Sequence, residues 1–256
     1  MDLVYPPVLG AGRLLFRALG LRATLEGDEH VPGTGPVLLA ANHVSFLDFL
    51  LVGLAARRGD RLVRFLARHD VWHHPLAGPL MRGMGHVPVD RQAPAAAYLR
   101  ARSLLRQGEA VGIFPEAGVS TSYTVRPLMP GTVALAAETG VPVLPVALWG
   151  PQRILTVGRR LDPTRGRPVS VAVGPPLHFP TGTDVVAGTR DLGRTLQRML
   201  DGLQARPEHQ PAPGETAPWH PAHLGGHAPS VAQARTVEVL PGTAVPPGAG
   251  RTTPKM

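Results

Sequence analysis

VLLAANHVSFLD, residues 37–48, is the segment around which the predicted fold is organised. Residues 37–41 form a short, unbroken apolar run, which is typical of a strand buried on both faces of a sheet. Ser45 is a residue type that favours the start of a helix, and the pattern predicts a helix over residues 45–57. His43 is therefore expected in the turn between this strand and this helix.

His43 and Asp48 are the candidate catalytic pair in this segment. Five residues apart within one regular helix, their side chains would point about 140° away from each other and could not meet. From the preceding turn, however, His43 lies within reach of a carboxylate in the first turns of the helix. A carboxylate bound to one imidazole nitrogen fixes the tautomer and leaves the other nitrogen free to accept a proton. The alternative is that Ser45 and Asp48 form a capping box and that His43 is structural.

Apolar runs and helical patterns alternate from about residue 36 to residue 174. Further strands are predicted at residues 62–67, 87–89, 110–114, 141–148 and 169–173, and further helices at residues 75–84, 94–107, 131–139 and 184–203. This order predicts an α/β fold with a central mixed, largely parallel sheet flanked by helices. We assign residues 31–206 to this domain.

The two ends of the chain differ in composition from the predicted domain. In residues 1–30, Arg13, Arg17 and Arg22 stand beside several leucines, which suits an amphipathic helix lying in a membrane surface. An ordinary packed helix fits the same pattern. Residues 207–256 are rich in Pro, Gly and His and predict a mostly disordered tail. Within the tail, residues 219–224 are expected to dock on the surface, and residues 231–239 hint at local structure.

The composition excludes several classes of site. The chain has no cysteine, which rules out disulfides, zinc–thiolate sites and cysteine nucleophiles. Its formal net charge of +8 comes almost wholly from arginine, which favours anionic partners. Aromatic residues make up only 5% and form no base-stacking motif, so nucleic acid is not an expected partner. His69, His73 and His74 lack a carboxylate–histidine motif, so no metal is expected. No apolar stretch approaches the roughly 20 residues of a spanning helix.

Three further segments lie at strand ends or contain unusual strand residues. GHVPVDR, residues 85–91, places Arg91 at the sheet edge where α/β folds bind ligands, as a phosphate clamp or else as a surface partner of Asp90. VGIFPEAG, residues 111–118, ends a buried strand with Glu116, although a plain exit from the strand explains it equally. VPVLPV, residues 141–146, contains prolines, which cannot donate to a sheet, so this strand is predicted at an edge or beside a cavity.

In this order, the four segments resemble the four motifs of the lysophosphatidic acid (1-acyl-sn-glycerol-3-phosphate) and glycerophosphate acyltransferases. His43 and Asp48 match the His-x4-Asp pair of that family, and the resemblance covers about residues 10–175. The third motif departs from the family pattern Phe-Pro-Glu-Gly-Thr-Arg-Ser, because residues 114–120 read FPEAGVS and place Val119 where the family has arginine. A phosphate contact expected there is missing, and Arg126, Arg91 or Arg68 is expected to replace it.

The resemblance implies transfer of a fatty acyl group from acyl-coenzyme A or acyl carrier protein to the free hydroxyl of 1-acylglycerol 3-phosphate, in phospholipid biosynthesis and without a cofactor. His43 would act as general base and Asp48 would orient it. The residues expected to bind substrate are Asn42, Ser45, Arg91, Phe114, Pro115, Glu116, Arg126 and Pro145. The protein is expected on the cytoplasmic face of the cell membrane, as a peripheral or monotopic protein on an anionic surface. A different lysophospholipid or glycolipid acceptor, or an inactive lipid-binding homologue, is the alternative.

Overall fold

The structure, a computed structural model, describes residues 3–248. The first two residues and residues 249–256, which belong to the predicted amphipathic segment and the predicted tail, lie outside it. In chain order the elements are α1 (Tyr5–Ala18), β1 (Arg22–Glu26), β2 (Val37–Ala41), α2 (Asp48–Ala56), β3 (Val63–Arg68), α3 (Ala77–Gly83), β4 (Val87–Val89), α4 (Ala95–Arg106), β5 (Ala110–Ile113), α5 (Gly131–Thr139), β6 (Val143–Trp149), β7 (Pro168–Val173), α6 (Val185–Gln204) and α7 (Val231–Val237).

Within the described residues, seven strands form one sheet in the order β1-β7-β6-β2-β5-β3-β4. The pairs β1–β7, β2–β5, β2–β6, β3–β5 and β3–β4 are parallel, whereas β6–β7 is antiparallel. The predicted mixed, largely parallel sheet is therefore confirmed. Because β2, β3, β4 and β5 run in the same direction, their carboxyl ends share one edge of the sheet. His43 follows β2 at this edge.

Helices cover both faces of the sheet. Successive side chains of β2 alternate between the faces, so Leu38 and Ala40 pack in the core that includes residues of α4, α5 and α6. Val37 and Leu39 pack on the other face, in the core that includes residues of α2. All five residues of β2 are buried for this reason. The continuous apolar run that predicted this strand is thus the result of burial on two sides.

β1 was not among the predicted strands. Its sequence, RATLE, has no buried face, and all five residues are exposed. The strand exists because its main chain pairs in parallel with β7 at the edge of the sheet. The hydroxyls of Thr24 and Ser170 also share a hydrogen bond of 2.8 Å across this pair. Main-chain pairing of this kind leaves no hydrophobic pattern to recognise.

The prediction that the Pro145 strand lies at an edge is wrong, because β6 lies between β7 and β2 in the sheet. The alternative position, beside a cavity, stays a prediction. Pro145 is tolerated there because the neighbouring strand is interrupted opposite it. On that side Val143 pairs with Leu177, and Gly174 donates to the Pro145 carbonyl at 2.8 Å. The two residues between Gly174 and Leu177 are both prolines. The missing N–H of Pro145 therefore faces a gap in the ladder.

The expectation of a mostly disordered tail is wrong for residues 207–248, which fold back onto the domain. Trp219 and His220 are buried, and the Arg153 guanidinium lies 3.7 Å from the centroid of the Trp219 ring. α7 begins with a capping box between Ser230 and Gln233. Val245 then forms an antiparallel bridge with Leu128. Because only a few buried side chains hold this segment, its composition and weak periodicity did not predict that it folds.

α1 packs along one side and is exposed along the other. Tyr5, Leu9 and Phe16 are buried, and the Tyr5 hydroxyl donates to the Val63 carbonyl at 2.6 Å. Leu14 and Leu15 point outward and are exposed. Among residues 3–248, no helix combines the length and the apolar character needed to cross a bilayer.

Lowering the pH from 7 to 5 is expected to destabilise the protein through His209. This buried ring shares a 2.8 Å hydrogen bond with the Ser170 hydroxyl, and burial lowers its pKa from 6.5 to about 4. Below pH 6.5 the unfolded chain binds a proton that the folded protein excludes. The free energy of unfolding should therefore fall, by up to about 1.4 kcal/mol per pH unit, until the pH reaches the folded pKa.

Urea denaturation at several pH values measures this effect, with His209→Gln as the test variant. The variant should lose less stability on acidification than the wild type. His178→Gln changes an exposed histidine and should keep the wild-type pH dependence. Equal pH dependence in wild type and His209→Gln would contradict the assignment.

Candidate active site

The end of β2 is held against β6 by the side chain of Asn42. Its amide nitrogen donates to the Leu148 carbonyl at 3.1 Å, and its amide oxygen accepts from the Leu148 N–H at 2.7 Å. The side chain thus takes the place of a further β2 residue in the ladder, and it is fully buried. Asn42, expected to bind substrate, is instead a structural residue that directs the chain into the turn carrying His43.

Asp48 binds His43 as the sequence predicted. One carboxylate oxygen, Oδ2, accepts hydrogen bonds from His43 Nδ1 at 2.8 Å, from the Val44 N–H at 2.7 Å and from the Ser45 N–H at 2.8 Å. Burial raises the pKa of Asp48, and the hydrogen bond from His43 and those from the two N–H groups oppose that rise. Asp48 is the first residue of α2, and the N-cap, Leu47, makes no side-chain cap. Only half of the alternative capping box forms. The Ser45 N–H donates to Asp48, but the Ser45 hydroxyl accepts from the Leu47 N–H and not from the Asp48 N–H.

The His43 ring is supported on one face and partly open. It stacks on Phe114, with ring centroids 4.3 Å apart and planes 24° apart. The His43 side chain is 20% exposed, whereas the Asp48 side chain is fully buried. With Nδ1 bound to Asp48, Nε2 is the nitrogen left to accept a proton. This is the arrangement that a general base requires.

Glu116 holds the main chain of His43. Its Oε1 accepts from the His43 N–H at 2.7 Å, and its Oε2 accepts from the Arg126 N–H at 2.7 Å. The carboxyl group is buried, and burial raises its pKa to about 8. The Ser120 N–H also donates to the His43 carbonyl at 2.8 Å. Glu116 therefore positions the turn by binding its main chain. The sequence had predicted a contact with substrate instead.

Ser45, Pro115 and Pro145 are likewise placed inside the protein. The Ser45 hydroxyl donates to the Leu155 carbonyl at 2.6 Å and accepts from the Leu47 N–H at 3.1 Å. Pro115 is buried, and its carbonyl accepts from the Met129 N–H at 2.8 Å. Pro145 is buried in the middle of β6. These positions correct the expectation that all three bind substrate and give them roles in supporting the site.

Arg91 lies at the open edge of the sheet beyond β4. It is exposed, and its guanidinium donates to the Ala117 carbonyl in the loop after Glu116, while Asp90 accepts from the Gln92 N–H. A surface pocket of about 270 Å³ adjoins it, lined by Arg68, His69, Asp70, Val89, Asp90, Arg91 and Gln92. Partial burial and the nearby cations Arg68 and Arg126 lower the pKa of Arg91. Arg91 thus lies within electrostatic range of the two other arginines that were expected to bind phosphate.

Arg126 is not free in the structure. Its Nε lies 3.0 Å from a carboxylate oxygen of Glu238, and both side chains are more than nine-tenths buried. Glu238 follows α7, about a hundred residues later in the chain. It stands in a segment whose composition predicts a tail, so neither motif nor spacing pointed to it. Glu238 is the residue near the site that sequence reasoning missed.

The histidines near residue 70 do not form a metal centre in the part of the chain that the structure describes, where no group of three or more His, Cys, Asp or Glu residues could hold an ion. His74 instead accepts from the N–H groups of Leu76 and Ala77, both at 3.2 Å, just before α3. Its ring thus supplies an acceptor for main-chain N–H groups at the start of α3.

Comparison with known proteins bears on the same region. A family model described as Acyltransferase matches residues 22–149, which run from β1 to the end of β6. The chain is 31% identical over 142 residues to the chloroplastic 1-acyl-sn-glycerol-3-phosphate acyltransferase BAT2 of Brassica napus, covering 54% of this chain and 40% of that protein. It is 28% identical over 182 residues to the 1-acyl-sn-glycerol-3-phosphate acyltransferase of Bacillus subtilis, covering 68% of this chain and 86% of that protein.

A solved structure shares the fold. The crystal structure of the 1-acyl-sn-glycerophosphate acyltransferase PlsC from Thermotoga maritima superposes with a TM-score of 0.68 at 24% identity, over 79% of this chain and 80% of that one. The chain spans 40%, 44% and 52% of the lengths of three relatives, from Brassica napus, Arabidopsis thaliana and Borreliella burgdorferi. For those relatives, the match covers about half of the protein.

Ala117→Gly is expected to stabilise the protein by roughly 0.5–1 kcal/mol. Ala117 has a φ of +53°, in the left-handed region that costs an L-residue energy and that glycine adopts freely. The greater freedom of glycine in the unfolded chain offsets part of the gain. Chemical denaturation measures the difference, and Ala96→Gly is the matched control. Ala96 lies exposed in α4, where the same substitution should destabilise by about 1 kcal/mol. Equal destabilisation by both variants would show that Ala117 is not strained.

Proposed function

The chain belongs to the acyltransferase family, and we propose that it transfers a fatty acyl group from a thioester to the free hydroxyl of a 1-acylglycerol 3-phosphate. The observation that carries the proposal is the 2.8 Å hydrogen bond between His43 and the buried Asp48, with the His43 ring partly open. The names of the relatives in Brassica napus and Bacillus subtilis support the acceptor class.

In the proposed reaction, Nε2 of His43 removes the proton of the acceptor hydroxyl as the oxygen attacks the thioester carbonyl carbon. The carbon–sulfur bond then breaks, and the leaving thiolate takes the proton from the imidazolium. Asp48 holds the ring in one tautomer and stabilises the imidazolium while it exists. The acyl group ends on the acceptor oxygen as an ester, and the enzyme returns to its starting state.

A covalent acyl-enzyme is not needed. The hydroxyls of Ser45 and Ser120 each donate to a main-chain carbonyl, at 2.6 and 2.7 Å. Neither hydroxyl donates to the His43 ring, so neither serine is prepared as a nucleophile. The sequence also lacks the Gly-x-Ser-x-Gly nucleophile elbow of the hydrolases. Direct attack by the acceptor is the simpler reaction.

Arg91 is proposed to bind the acceptor phosphate from the open edge of the sheet, because its guanidinium is exposed beside the pocket near Arg68. A guanidinium can bind two phosphate oxygens at once. The donor is proposed to be acyl-coenzyme A or acyl carrier protein, so no cofactor is required. The intact His43–Asp48 pair argues against an inactive lipid-binding homologue. The acceptor panel described below distinguishes another lysophospholipid or glycolipid acceptor from the proposed one.

His43→Ala should reduce acyl transfer to 1-acylglycerol 3-phosphate by roughly 10²- to 10⁴-fold, because general-base catalysis is worth that much. Asp48→Asn should also reduce kcat, since the amide cannot stabilise the imidazolium as a carboxylate does. Mass spectrometry of products, from purified protein given acyl-coenzyme A and a panel of lysophospholipids and glycolipids, measures the rates and identifies the acceptor.

His178→Gln, which changes an exposed histidine outside the site, serves as control and should keep full activity. Equal product from wild type and His43→Ala would end the enzyme proposal. Faster transfer to a lysolipid without a phosphate monoester would replace the proposed acceptor by that lipid.

The protein is proposed to work at an anionic membrane surface, on the cytoplasmic face. Its substrates are lipids, and the exposed side of α1 presents Leu14 and Leu15 between Arg13 and Arg17. Apolar residues flanked by arginines suit a helix lying in a lipid surface. In this proposal the exposed leucines of α1 lie at the membrane, while its other side packs on the domain.

Leu14→Glu should weaken binding to vesicles that contain phosphatidylglycerol, because it puts a negative charge where an apolar side chain is proposed to enter the lipid. Co-sedimentation measures the bound fraction. Val239→Glu changes another exposed apolar residue, far from α1 in sequence, and should bind as the wild type does. Unchanged binding of Leu14→Glu would remove α1 from the proposed membrane contact.

A further inference from the structure

Arg126 and Thr121 form an anion-binding site that the chain's own Glu238 occupies. One oxygen of the Glu238 carboxylate lies 3.0 Å from Arg126 Nε. The other accepts from the Thr121 N–H at 2.9 Å and from the Thr121 hydroxyl at 2.8 Å. The terminal nitrogens of Arg126 donate to the carbonyls of Val119 and Val239, at 3.4 and 3.3 Å. The carboxylate is thus held by the charge of the guanidinium, a main-chain N–H and a hydroxyl, which are groups that proteins use to bind phosphate.

The same set of hydrogen bonds holds this site and the turn that carries His43. Glu116 accepts from the N–H of His43 and from the N–H of Arg126, both at 2.7 Å, so these two nitrogens lie within about 8 Å of each other. Ser120, the residue before Thr121, donates to the His43 carbonyl at 2.8 Å. An anion bound between Arg126 and Thr121 is thus held next to the turn that carries the proposed base.

The lack of a side chain at Gly118 leaves room for the side chain of Arg126. A Cβ atom at Gly118 would lie 2.4 Å from a terminal nitrogen of Arg126, so the guanidinium passes where a larger residue could not be accommodated without a shift. The carbonyl of the next residue, Val119, accepts from the same nitrogen at 3.4 Å. Val119 itself stands where the family motif has arginine. Arg126 therefore brings a guanidinium to the loop from another position in the chain.

The segment that carries Glu238 is lightly attached. The side chains of its neighbours Val237 and Val239 are 72% and 80% exposed, whereas that of Glu238 is buried. The Val239 carbonyl adds one hydrogen bond, which it accepts from Arg126 at 3.3 Å. α7 has seven residues, of which only Ala234 is buried. Few buried apolar contacts mean a low cost of local opening. The carboxylate can therefore leave the site without unfolding of the sheet.

We propose that the site formed by Arg126 and Thr121 binds the phosphate monoester of the acceptor, and that Glu238 fills it until the acceptor displaces it. The inference rests on the proposed function, since it names the acceptor contact of the same reaction. A phosphate monoester carries more charge than a carboxylate and has three acceptor oxygens, so it can satisfy the same donors and reach Arg91 as well. Glu238 thereby selects for acceptors with a phosphate monoester and against neutral lysolipids.

The test compares wild type, Glu238→Gln and the double variant Arg126→Gln/Glu238→Gln. The single variant keeps the shape of the side chain but removes its charge. If Glu238 occupies the site in about 90% of molecules, KM for 1-acylglycerol 3-phosphate should fall by about tenfold, with kcat and the KM for acyl-coenzyme A unchanged. In the double variant both buried side chains are uncharged. No buried charge is then left without a partner, which protects the fold. The double variant should raise that KM above the wild-type value.

A second measurement needs no turnover. Inorganic phosphate should raise the Tm of Glu238→Gln more than that of the wild type, relative to chloride at the same ionic strength, and should not raise the Tm of the double variant more than that of the wild type. Glu208→Gln, which changes an exposed carboxylate elsewhere in the C-terminal segment, should behave as the wild type in both measurements.

The outcomes separate this inference from the proposed function. Equal KM values and equal phosphate shifts in wild type and Glu238→Gln would overturn the inference and make the ion pair purely structural. A change confined to the KM for acyl-coenzyme A, whose 3′-phosphate is also a monoester, would overturn the acceptor assignment. A phosphate shift in Glu238→Gln without acyl transfer by any variant would support the anion site while defeating the proposed reaction.

Discussion

The three hydrogen bonds to one oxygen of Asp48 are the constraint on which the site depends. They tie the His43 ring to the N–H groups of Val44 and Ser45, so the turn and the ring are fixed by the same atom. These N–H groups would otherwise be unsatisfied donors in a buried turn, which is costly. Because the carboxylate satisfies the turn and orients the ring together, the fold and the proposed chemistry cannot be separated at this position.

A second layer of buried polar groups supports this turn from both sides. Asn42 continues the ladder of β2 with its side chain, and Glu116 binds the main chain of His43. Both were expected to touch substrate, yet both are enclosed by protein. Residues that stand near His43 in the motifs thus act here by holding its main chain. Arg91 and the partly open ring of His43 lie instead at the open edge of the sheet.

Sequence reasoning succeeded where burial leaves a pattern. The apolar run of β2 and the alternation of strands and helices predicted the mixed sheet, and the spacing of His43 and Asp48 predicted their contact. It failed where structure depends on main-chain pairing or on a distant partner. β1 has no buried face, and the interior position of Pro145 depends on the break that follows β7. The folding of the tail and the position of Glu238 depend on surfaces that exist only after the domain has formed.

The distance of Glu238 along the chain has a consequence for how the protein is made. Synthesis on the ribosome runs from the N-terminus, so all seven strands and α6 are complete before residue 238 leaves the tunnel. During that interval the nascent domain holds the Arg126 guanidinium without its carboxylate partner. A small anion from solution can neutralise that charge in the meantime, and arrival of the last segment then releases it. Maturation of the newly made protein would therefore end with an exchange of ions.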